Sequence, residues 1–418
     1  MVGGLRQITT PTRVDYWPWW FCILPLAPVA ATPLPQGPFL RGDDFAYGLD
    51  QQQRGIPSLC LPGLGIWRNR AMTLPQGCQT GPSTDDDDCT YDLANRFMPL
   101  TSAQGVRRNG ATSGRLHVLQ STLLPREDLP ETLFLRAIPP RRHGDLVPRS
   151  VKSGTAAIRL DPGNILSTDT FFGSFYRAYW QAYTVVRDLA VMVEMAGTAR
   201  VRIFEETGHG ANLIAEDRFR CATPCRFLVD IRSSEVTQWP GEAEIWPSRL
   251  FVEVEADETT DVHAIDFITS DEPKRRVTLS IGLCTFNQAH FFARTLCRVA
   301  RLAASSDAIC AVHVVNQGAP FKSDAIRALL NAPKIQAIEQ RNLGGCGGFT
   351  RTLVEELANP APASHHLMMD DDIVLDERMI LRALRFLNYA DREIALGAGM
   401  FDILRPHIMY EAGAFLRT

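Results

Sequence analysis

The sequence has no excess of basic residues and no clustered cysteines, and each absence argues against a class of function. The formal net charge of its 418 residues is −4, which gives no general argument for binding nucleic acid or an anionic membrane. The ten cysteines form no paired CxxC elements, so a zinc site is not favoured. Several cysteines lie in apolar runs, which indicates buried free thiols and a reducing compartment.

The sequence also lacks an apolar run that could form an unbroken membrane helix. Residues 16–34 are apolar and follow Arg6 and Arg13, so a signal peptide is one interpretation. We favour a folded segment instead, because four prolines would break the helix that a signal peptide or membrane span needs. These prolines are Pro18, Pro25, Pro28 and Pro33.

The middle of the chain divides into two stretches of different composition. Residues 70–114 show little periodicity, many turn residues and the acidic run 85–88, which indicates a poorly ordered linker with a solvated acidic loop. Residues 115–270 contain short alternating segments separated by turn residues, the pattern of an all-β sandwich. Within them, the aromatic segment 170–180 is interpreted as core, with a sugar-stacking surface as the alternative.

After residue 275 apolar strands alternate with amphipathic helices, which predicts a parallel α/β sheet. In such sheets ligands bind beyond the carboxyl ends of the strands. Several polar residues fall at predicted strand ends: Thr285, Asn287, Asn316, Gln317 and Asn342.

A glycine-rich segment, residues 342–348, precedes a helix that we predict over residues 349–357. Its glycines, Gly344 and Gly345 among them, let the backbone approach a ligand closely, and a helix start favours an anion. The segment is neither a GxGxxG motif nor a P-loop, so a plain turn is an equal alternative.

The acidic triplet Asp370, Asp371 and Asp372 follows a predicted apolar strand. Carboxylates so close together repel one another, and a divalent cation relieves this repulsion. Because strand side chains alternate, Asp370 and Asp372 are predicted to bind Mn²⁺ or Mg²⁺ while Asp371 points elsewhere. That cation would neutralise the leaving diphosphate of a nucleotide sugar. Asp376 is predicted to cap a helix.

Residues 277–418 resemble the family-2-type inverting glycosyltransferases, and are most similar to the bacterial UDP-galactofuranosyltransferases that polymerise galactan. The resemblance implies an α/β GT-A (Rossmann-like) domain, and residues 115–270 are similar to that family's all-β sandwich domain. The shared motifs are Thr285-Phe-Asn287, Asn316-Gln317-Gly318, residues 342–348, the acidic triplet, Glu411-Ala-Gly413, Phe171-Phe-Gly-Ser-Phe-Tyr176 and Tyr179-Trp180.

Motifs similar to the acceptor half of this catalytic domain stand at the other end of the chain. They are residues 16–22, residues 42–48 and residues 61–67. We therefore interpret the order as circularly permuted or rearranged. Residues 1–69 would be the displaced acceptor half, 70–114 a linker, 115–270 the sandwich and 275–418 the nucleotide-sugar half.

The resemblance also implies roles for individual residues. Asp44 would be the catalytic base that takes a proton from the acceptor hydroxyl, and Asp43 would orient the acceptor, with Trp19 and Trp20 packing on the sugar. Arg68 stands where the family has a metal-binding histidine, and a guanidinium cannot ligate a cation. The implied nucleotide-sugar-binding residues are Thr285, Asn287, Gln317, Asn342, Gly344, Gly345 and Asp371.

We therefore expect a metal-dependent transferase that moves galactofuranose from UDP-galactofuranose to a growing cell-wall or surface glycan, free or lipid-linked. One alternative is a transferase with another donor, such as a rhamnosyl nucleotide. Another, favoured by Arg68, is a degenerate, non-catalytic glycan-binding protein. The expected location is cytoplasmic, with peripheral contact at the inner face of the membrane and a homo-oligomer left open. No nucleic-acid partner is expected.

Overall fold

A computed structural model describes residues 13–15, 17–31, 43–68, 106–107, 115–122, 131–138, 149–152, 155–231 and 248–413. Within these ranges the chain forms two hydrogen-bonded sheets of ten strands each. Apart from residues 106–107, the predicted linker 70–114 lies outside the described residues, as does its acidic run.

The strands in chain order are β1 (Arg13–Val14), β2 (Phe21–Pro25), β3 (Ser58–Arg68), β4 (Val106–Arg107), β5 (His117–Ser121), β6 (Arg136–Ile138), β7 (Arg149–Lys152), β8 (Thr155–Leu160), β9 (Ile165–Ser167), β10 (Ala190–Thr207), β11 (Gly210–Asp230), β12 (Ser248–Ala256), β13 (Thr260–Thr269), β14 (Leu279–Thr285), β15 (Ile309–Asn316), β16 (Ile335–Glu339), β17 (His365–Asp370), β18 (Ile373–Leu375), β19 (Ala395–Asp402) and β20 (Arg405–Glu411).

The helices are α1 (Leu26–Ala30), α2 (Asp43–Gln53), α3 (Arg177–Tyr183), α4 (Ala289–Ser305), α5 (Asp324–Leu330), α6 (Gly344–Leu357) and α7 (Glu377–Tyr389), with a short 3₁₀ helix at Glu131–Leu133. Asp376 accepts a hydrogen bond from the backbone N–H of Arg378 and so caps α7, which confirms that prediction. Among the described residues, no helix combines the length and apolar character that crossing a lipid bilayer requires.

The first sheet combines strands from two distant parts of the chain. Strands β17, β14, β15 and β16 are mutually parallel neighbours, which confirms the predicted parallel arrangement. On the other side of β17, β2 pairs antiparallel with both β17 and β19, and β3 runs parallel to β19. The segment considered as a signal peptide therefore supplies a strand in the interior of the sheet.

The burial of β2 and β3 explains their apolar sequences. All five residues of β2 and ten of the eleven in β3 are buried, as expected for strands covered on both faces. At the far edge, a Cβ added to Gly413 would lie 2.7 Å from Cγ1 of Val14. Val14, which lies in the predicted acceptor half, therefore packs directly against Gly413 of the predicted nucleotide-sugar half.

The second sheet is centred on β10, a strand of 18 residues. It pairs with β11 on one side, and on the other with β13 in its first half and β12 in its second. The β-rich character predicted for residues 115–270 is confirmed, although helix α3 lies within them. Hydrogen bonds through β10 join these strands in one continuous sheet, and the predicted sandwich stays a prediction.

Two cysteines of this sheet form a pair that the sequence analysis did not predict. Cys221 and Cys225 form a disulfide inside β11. Residues 222–224 bulge out of the ladder opposite Ala196, which brings the two cysteines together in a way that composition did not indicate. The other described cysteines are free: Cys22, Cys60, Cys284, Cys297, Cys310 and Cys346.

The two sheets share one hydrophobic core. Arg382 of α7 is buried at this junction and donates to the carbonyl oxygens of Gly63 (2.8 Å), Phe172 (2.9 Å) and Ser121 (3.2 Å). The ring of Phe172 lies 5.2 Å from that of Trp67, centroid to centroid. The aromatic segment 170–180 therefore forms core, which confirms the favoured interpretation of that segment.

Candidate functional site

The carboxyl ends of three parallel strands bring the predicted donor-site residues to one edge of the first sheet. In the register of these strands, Asp370 of β17 lies beside Cys284 of β14, and Thr285 lies beside Asn316 of β15. The backbone N–H of Asp370 donates to the carbonyl oxygen of Trp20, at 3.2 Å. The acidic triplet is thus anchored to the segment that precedes β2.

Arg68, at the end of β3, contacts two of the three carboxylates. Its Nη1 lies 2.8 Å from Oδ2 of Asp370, while its Nη2 and Nε lie 2.9 and 3.1 Å from Oδ2 of Asp372. The three side chains are about a quarter exposed, at 28%, 24% and 26% respectively. Burial lowers the pKa of Arg68, but the charges of the two carboxylates outweigh this and raise it overall.

These residues do not fit the predicted divalent cation. The two carboxylates that would bind it hold a guanidinium, which has no lone pair for a metal and repels a second cation. Across the described ranges, no group of three or more His, Cys, Asp and Glu side chains is placed to hold a metal ion. We therefore derive no step of the chemistry through a metal.

Asp371 faces a different environment from its two neighbours. Burial raises its pKa to about 7, the Thr285 hydroxyl opposes this rise, and the charges of Asp370 and Asp372 add to it. Oδ2 of Asp371 and Oδ1 of Asp372 are buried and accept no hydrogen bond of ordinary geometry from the described residues. Such orphaned polar atoms mark a place where a ligand or water would bind.

A side chain of α4 makes hydrogen bonds to the backbone around Asp371. Oγ1 of Thr295 donates to the carbonyl oxygens of Asp371 (3.0 Å) and Ile373 (3.2 Å). Sequence patterns did not indicate this residue, because a threonine within an amphipathic helix looks the same whether or not its hydroxyl bonds to a neighbouring strand end.

Gln317, predicted to bind the nucleotide sugar, positions the glycine-rich segment. Its Nε2 donates to the carbonyl oxygen of Gly344 at 2.9 Å, and its Oε1 accepts from the backbone N–H of Leu343 at 2.8 Å and from Gln340 at 3.0 Å. The side chain is buried. Its polar atoms are thus committed to the start of α6.

The helix after this segment begins at Gly344, five residues earlier than predicted. The glycines are therefore part of α6, and they serve different purposes. Gly344 has φ +71°, whereas a Cβ at Gly345 would meet nothing within 4 Å, so that position faces open space. A Cβ at Gly348 would lie 2.0 Å from Sγ of Cys284, so this glycine lets α6 pack closely on β14.

Two predicted site asparagines shape loops at the same edge. Oδ1 of Asn287 accepts from the backbone N–H of Ala319 at 2.9 Å, and Asn287 itself has φ +56°. Oδ1 of Asn342 accepts from the backbone N–H of Gly344, also at 2.9 Å. Both side chains remain exposed beside the strand ends.

The predicted acceptor side lies on α2 and the segment before β2. Asp43 and Asp44 are the first two residues of α2, and their side chains lie outside the described part. Further along α2, Tyr47 makes an edge contact with Trp19 at 6.4 Å, and Trp19 contacts Phe349 of α6 at 5.8 Å. The helix that carries Asp44 is therefore tied to the glycine-rich helix.

These contacts correct the prediction for Trp19. It is 6% exposed and belongs to a hydrophobic cluster, so its ring is core and has no free face for a sugar. The reason is that α2 covers it, a contact between segments that motif matching does not reveal. Trp20 is half-buried, and its predicted contact with the acceptor stays a prediction.

Comparison with known proteins shows which proteins this chain is similar to. A family profile described as "Galactofuranosyltransferase 2 N-terminal" matches residues 119–241, which lie within the region of the second sheet. The galactofuranosyltransferase GlfT2 of Mycolicibacterium smegmatis is 26% identical over 268 residues, 61% of this chain and 40% of that protein. GlfT2 of Mycobacterium tuberculosis is 26% identical over 263 residues, with the same two coverages.

The predicted relationship to the galactofuranosyltransferases is thereby confirmed. The chain spans 40% of the length of the two relatives. Among solved structures, the carbohydrate-binding module CBM36 in complex with calcium and xylotriose is 15% identical to this chain. The match covers 27% of this chain and 76% of the module. Its TM-score of 0.15 establishes no shared fold.

Proposed function

We propose that this protein is an inverting glycosyltransferase that moves galactofuranose from UDP-galactofuranose to a growing glycan, free or lipid-linked. The first sheet and its helices would form a GT-A domain, and the second sheet the accompanying β-sandwich. One observation carries the proposal: in a chain related to galactofuranosyltransferases, an acidic triplet stands at the carboxyl ends of parallel strands beside the start of a glycine-rich helix.

The donor would bind across this edge. The backbone N–H groups in the first turn of α6 and the positive end of its dipole favour a diphosphate, and the open space at Gly345 allows close approach. The orphaned carboxylate oxygens of Asp371 and Asp372 can accept hydrogen bonds from the hydroxyl groups of a nucleotide sugar. Asn287 and Asn342 would form the exposed rim of the same site.

The acceptor would approach from α2. We assign Asp44 as the base that removes the proton from the attacking hydroxyl, with Asp43 orienting the sugar and Trp20 lying alongside. The contacts from Tyr47 through Trp19 to Phe349 support this assignment, since they couple the helix of the base to the helix of the donor site. A rigid link of this kind would keep the two substrates in register.

The test is transfer by the full chain, with UDP-galactofuranose as donor and a short galactofuranose oligosaccharide as acceptor, followed by mass spectrometry. We expect Asp44→Asn to slow transfer by roughly 100- to 10,000-fold, the usual contribution of a general base. Asp50→Asn is the matched control on the same helix, because Asp50 is exposed and pairs only at the surface with Arg54, Nε to Oδ2, at 2.8 Å. Equal rates for the two variants would refute the role of Asp44.

A second candidate is a non-catalytic glycan-binding protein, which the ion pairs of Arg68 with Asp370 and Asp372 favour. It predicts that the oligosaccharide binds while UDP-galactofuranose is neither transferred nor hydrolysed. A transferase with another donor, such as a rhamnosyl nucleotide, predicts transfer from that nucleotide alone.

A further inference from the structure

We propose that the guanidinium of Arg68 replaces a divalent cation as the counter-charge of Asp370 and Asp372, so that this site acts on a nucleotide diphosphate without a metal. The inference rests on the proposed function for the identity of the ligand. Its structural part, the exclusion of the cation, stands on the contacts of Arg68 alone.

The geometry of Arg68 is that of a bridge between the two carboxylates. Three of its five N–H groups donate to Asp370 and Asp372 over 2.8 to 3.1 Å. One N–H on each of Nη1 and Nη2 remains beyond these three. A guanidinium about a quarter exposed can offer that pair to the oxygens of a phosphate in bidentate fashion.

The backbone holds this bridge in place. Arg68 is paired with Ile373 of β18 on one side and with Asp402 of β19 on the other, and its carbonyl oxygen accepts from the N–H of Ile403 at 3.1 Å. Two strand ladders thus deliver the side chain to the acidic triplet. Because its backbone is paired on both sides, Arg68 is held beside the two carboxylates as part of the folded sheet.

The charges predict how this site differs from one that holds a metal. Arg68 with Asp370 and Asp372 carries a net charge of about −1, whereas a divalent cation with the same two carboxylates carries about zero. The site should therefore bind a diphosphate more weakly than a metal-loaded version of itself. It should also exclude added cations, because the guanidinium repels them from the carboxylates.

Manganese binding tests the structural part directly. We would titrate Mn²⁺ into the full chain and follow the free ion by electron paramagnetic resonance for wild type, Asp370→Asn, Arg68→His and Arg68→His/Asp370→Asn. We expect Arg68→His to bind Mn²⁺ at least 10-fold more tightly than wild type, and the double variant to lose that gain. Wild-type binding that Asp370→Asn abolishes would overturn the proposal.

Calorimetric titration with UDP tests the ligand. In wild type we expect the same affinity with Mn²⁺ and with EDTA. Arg68→Met should weaken UDP binding at least 10-fold, and Arg68→His should bind UDP tightly only with Mn²⁺. A 10-fold loss in wild type on adding EDTA would overturn metal independence.

The two arms separate the two claims. If UDP binds to no variant although each melts cooperatively, the proposed donor is wrong. The manganese titration then still decides whether Arg68 holds the place of a cation, and a wild type that excludes Mn²⁺ where Arg68→His accepts it supports the replacement.

Discussion

Each sheet contains an arginine that bridges two acidic residues, and the two arginines differ in their surroundings. In the second sheet, Arg249 donates to Asp169 at 2.6 Å, to Ser174 at 2.7 Å and to Glu206, and its side chain is 7% exposed. In the first sheet, the side chain of Arg68 is 28% exposed. Arg249 is enclosed by strands, whereas Arg68 stands at strand ends where polar atoms lack partners.

An ion pair alone therefore does not mark a functional site. The guanidinium of Arg249 also lies 5.6 Å from the ring centroid of Phe251. Its charge is thus balanced by carboxylates, and its side chain is packed against an aromatic ring. At Arg68 the same chemistry leaves the guanidinium accessible to a ligand. The position of the pair relative to the strand ends carries the functional information.

Replacing each of the two arginines should change the stability of the protein by different amounts. We expect Arg249→Met to lower the free energy of unfolding by roughly 3 kcal/mol, because it removes the buried guanidinium that bridges Asp169 and Glu206 and leaves Asp169 paired with Arg136 at the surface. Arg68→Met should lower it by less than about 1 kcal/mol, since its pairs are partly solvated. Urea denaturation followed by circular dichroism measures both. Equal losses would make Arg68 a structural residue like Arg249.

A smaller effect separates the packing part of the glycine-rich helix from its open part. Gly348→Ala should cost roughly 2 kcal/mol of unfolding free energy, because the new Cβ would collide with Cys284 and push α6 off β14. Gly345→Ala is the matched control in the same helix and should stabilise the protein by up to about 1 kcal/mol, since its Cβ meets nothing. Thermal and urea unfolding of the pair would show the opposite signs. Equal destabilisation by both changes would contradict this division.

The smallest effect concerns acid stability of the first sheet. The pKa of His366 is lowered to about 3, chiefly by burial and also by the charge of His313, and Glu356 opposes part of this shift. At pH values between the folded pKa and the unfolded pKa of about 6.5, His366 is protonated in the unfolded chain and neutral in the folded chain. His366 should therefore reduce the free energy of unfolding by up to about 1.4 kcal/mol for each pH unit below 6.5.

Urea unfolding from pH 7 to pH 5 would measure this slope. His366→Gln removes the titrating group and retains a polar side chain for Ser280 and Thr352, whose Oγ and Oγ1 atoms lie 2.8 and 2.9 Å from the ring nitrogens. Its stability should fall less steeply than that of wild type as the pH is lowered. Parallel slopes would show that His366 is protonated or solvated in the folded protein.

Residue patterns predicted the local features of this site well. The alternation of strands and helices after residue 275 and the cap at Asp376 follow from periodicity and side-chain chemistry within a few residues. The start of α6 was missed, because the four glycines in its first five residues are weak helix formers, and packing on β14 imposes their helical state. Trp19 was misassigned for a similar reason, since only the cover of α2 makes it core.

Residue patterns established that strands alternate with helices after residue 275 and that three carboxylates follow an apolar strand. Motif resemblance assigned residues 1–69 to the same domain, but the pairing of β2 with β17 and β19 is seen only in the folded protein. The same is true of the hydrogen bonds from Arg68 to Asp370 and Asp372, which are 302 and 304 residues away along the chain. Periodicity reports which face of a segment is buried, whereas strand pairing is a contact between segments distant in the chain. The pairing of strands in the first sheet therefore places Arg68 beside the acidic triplet.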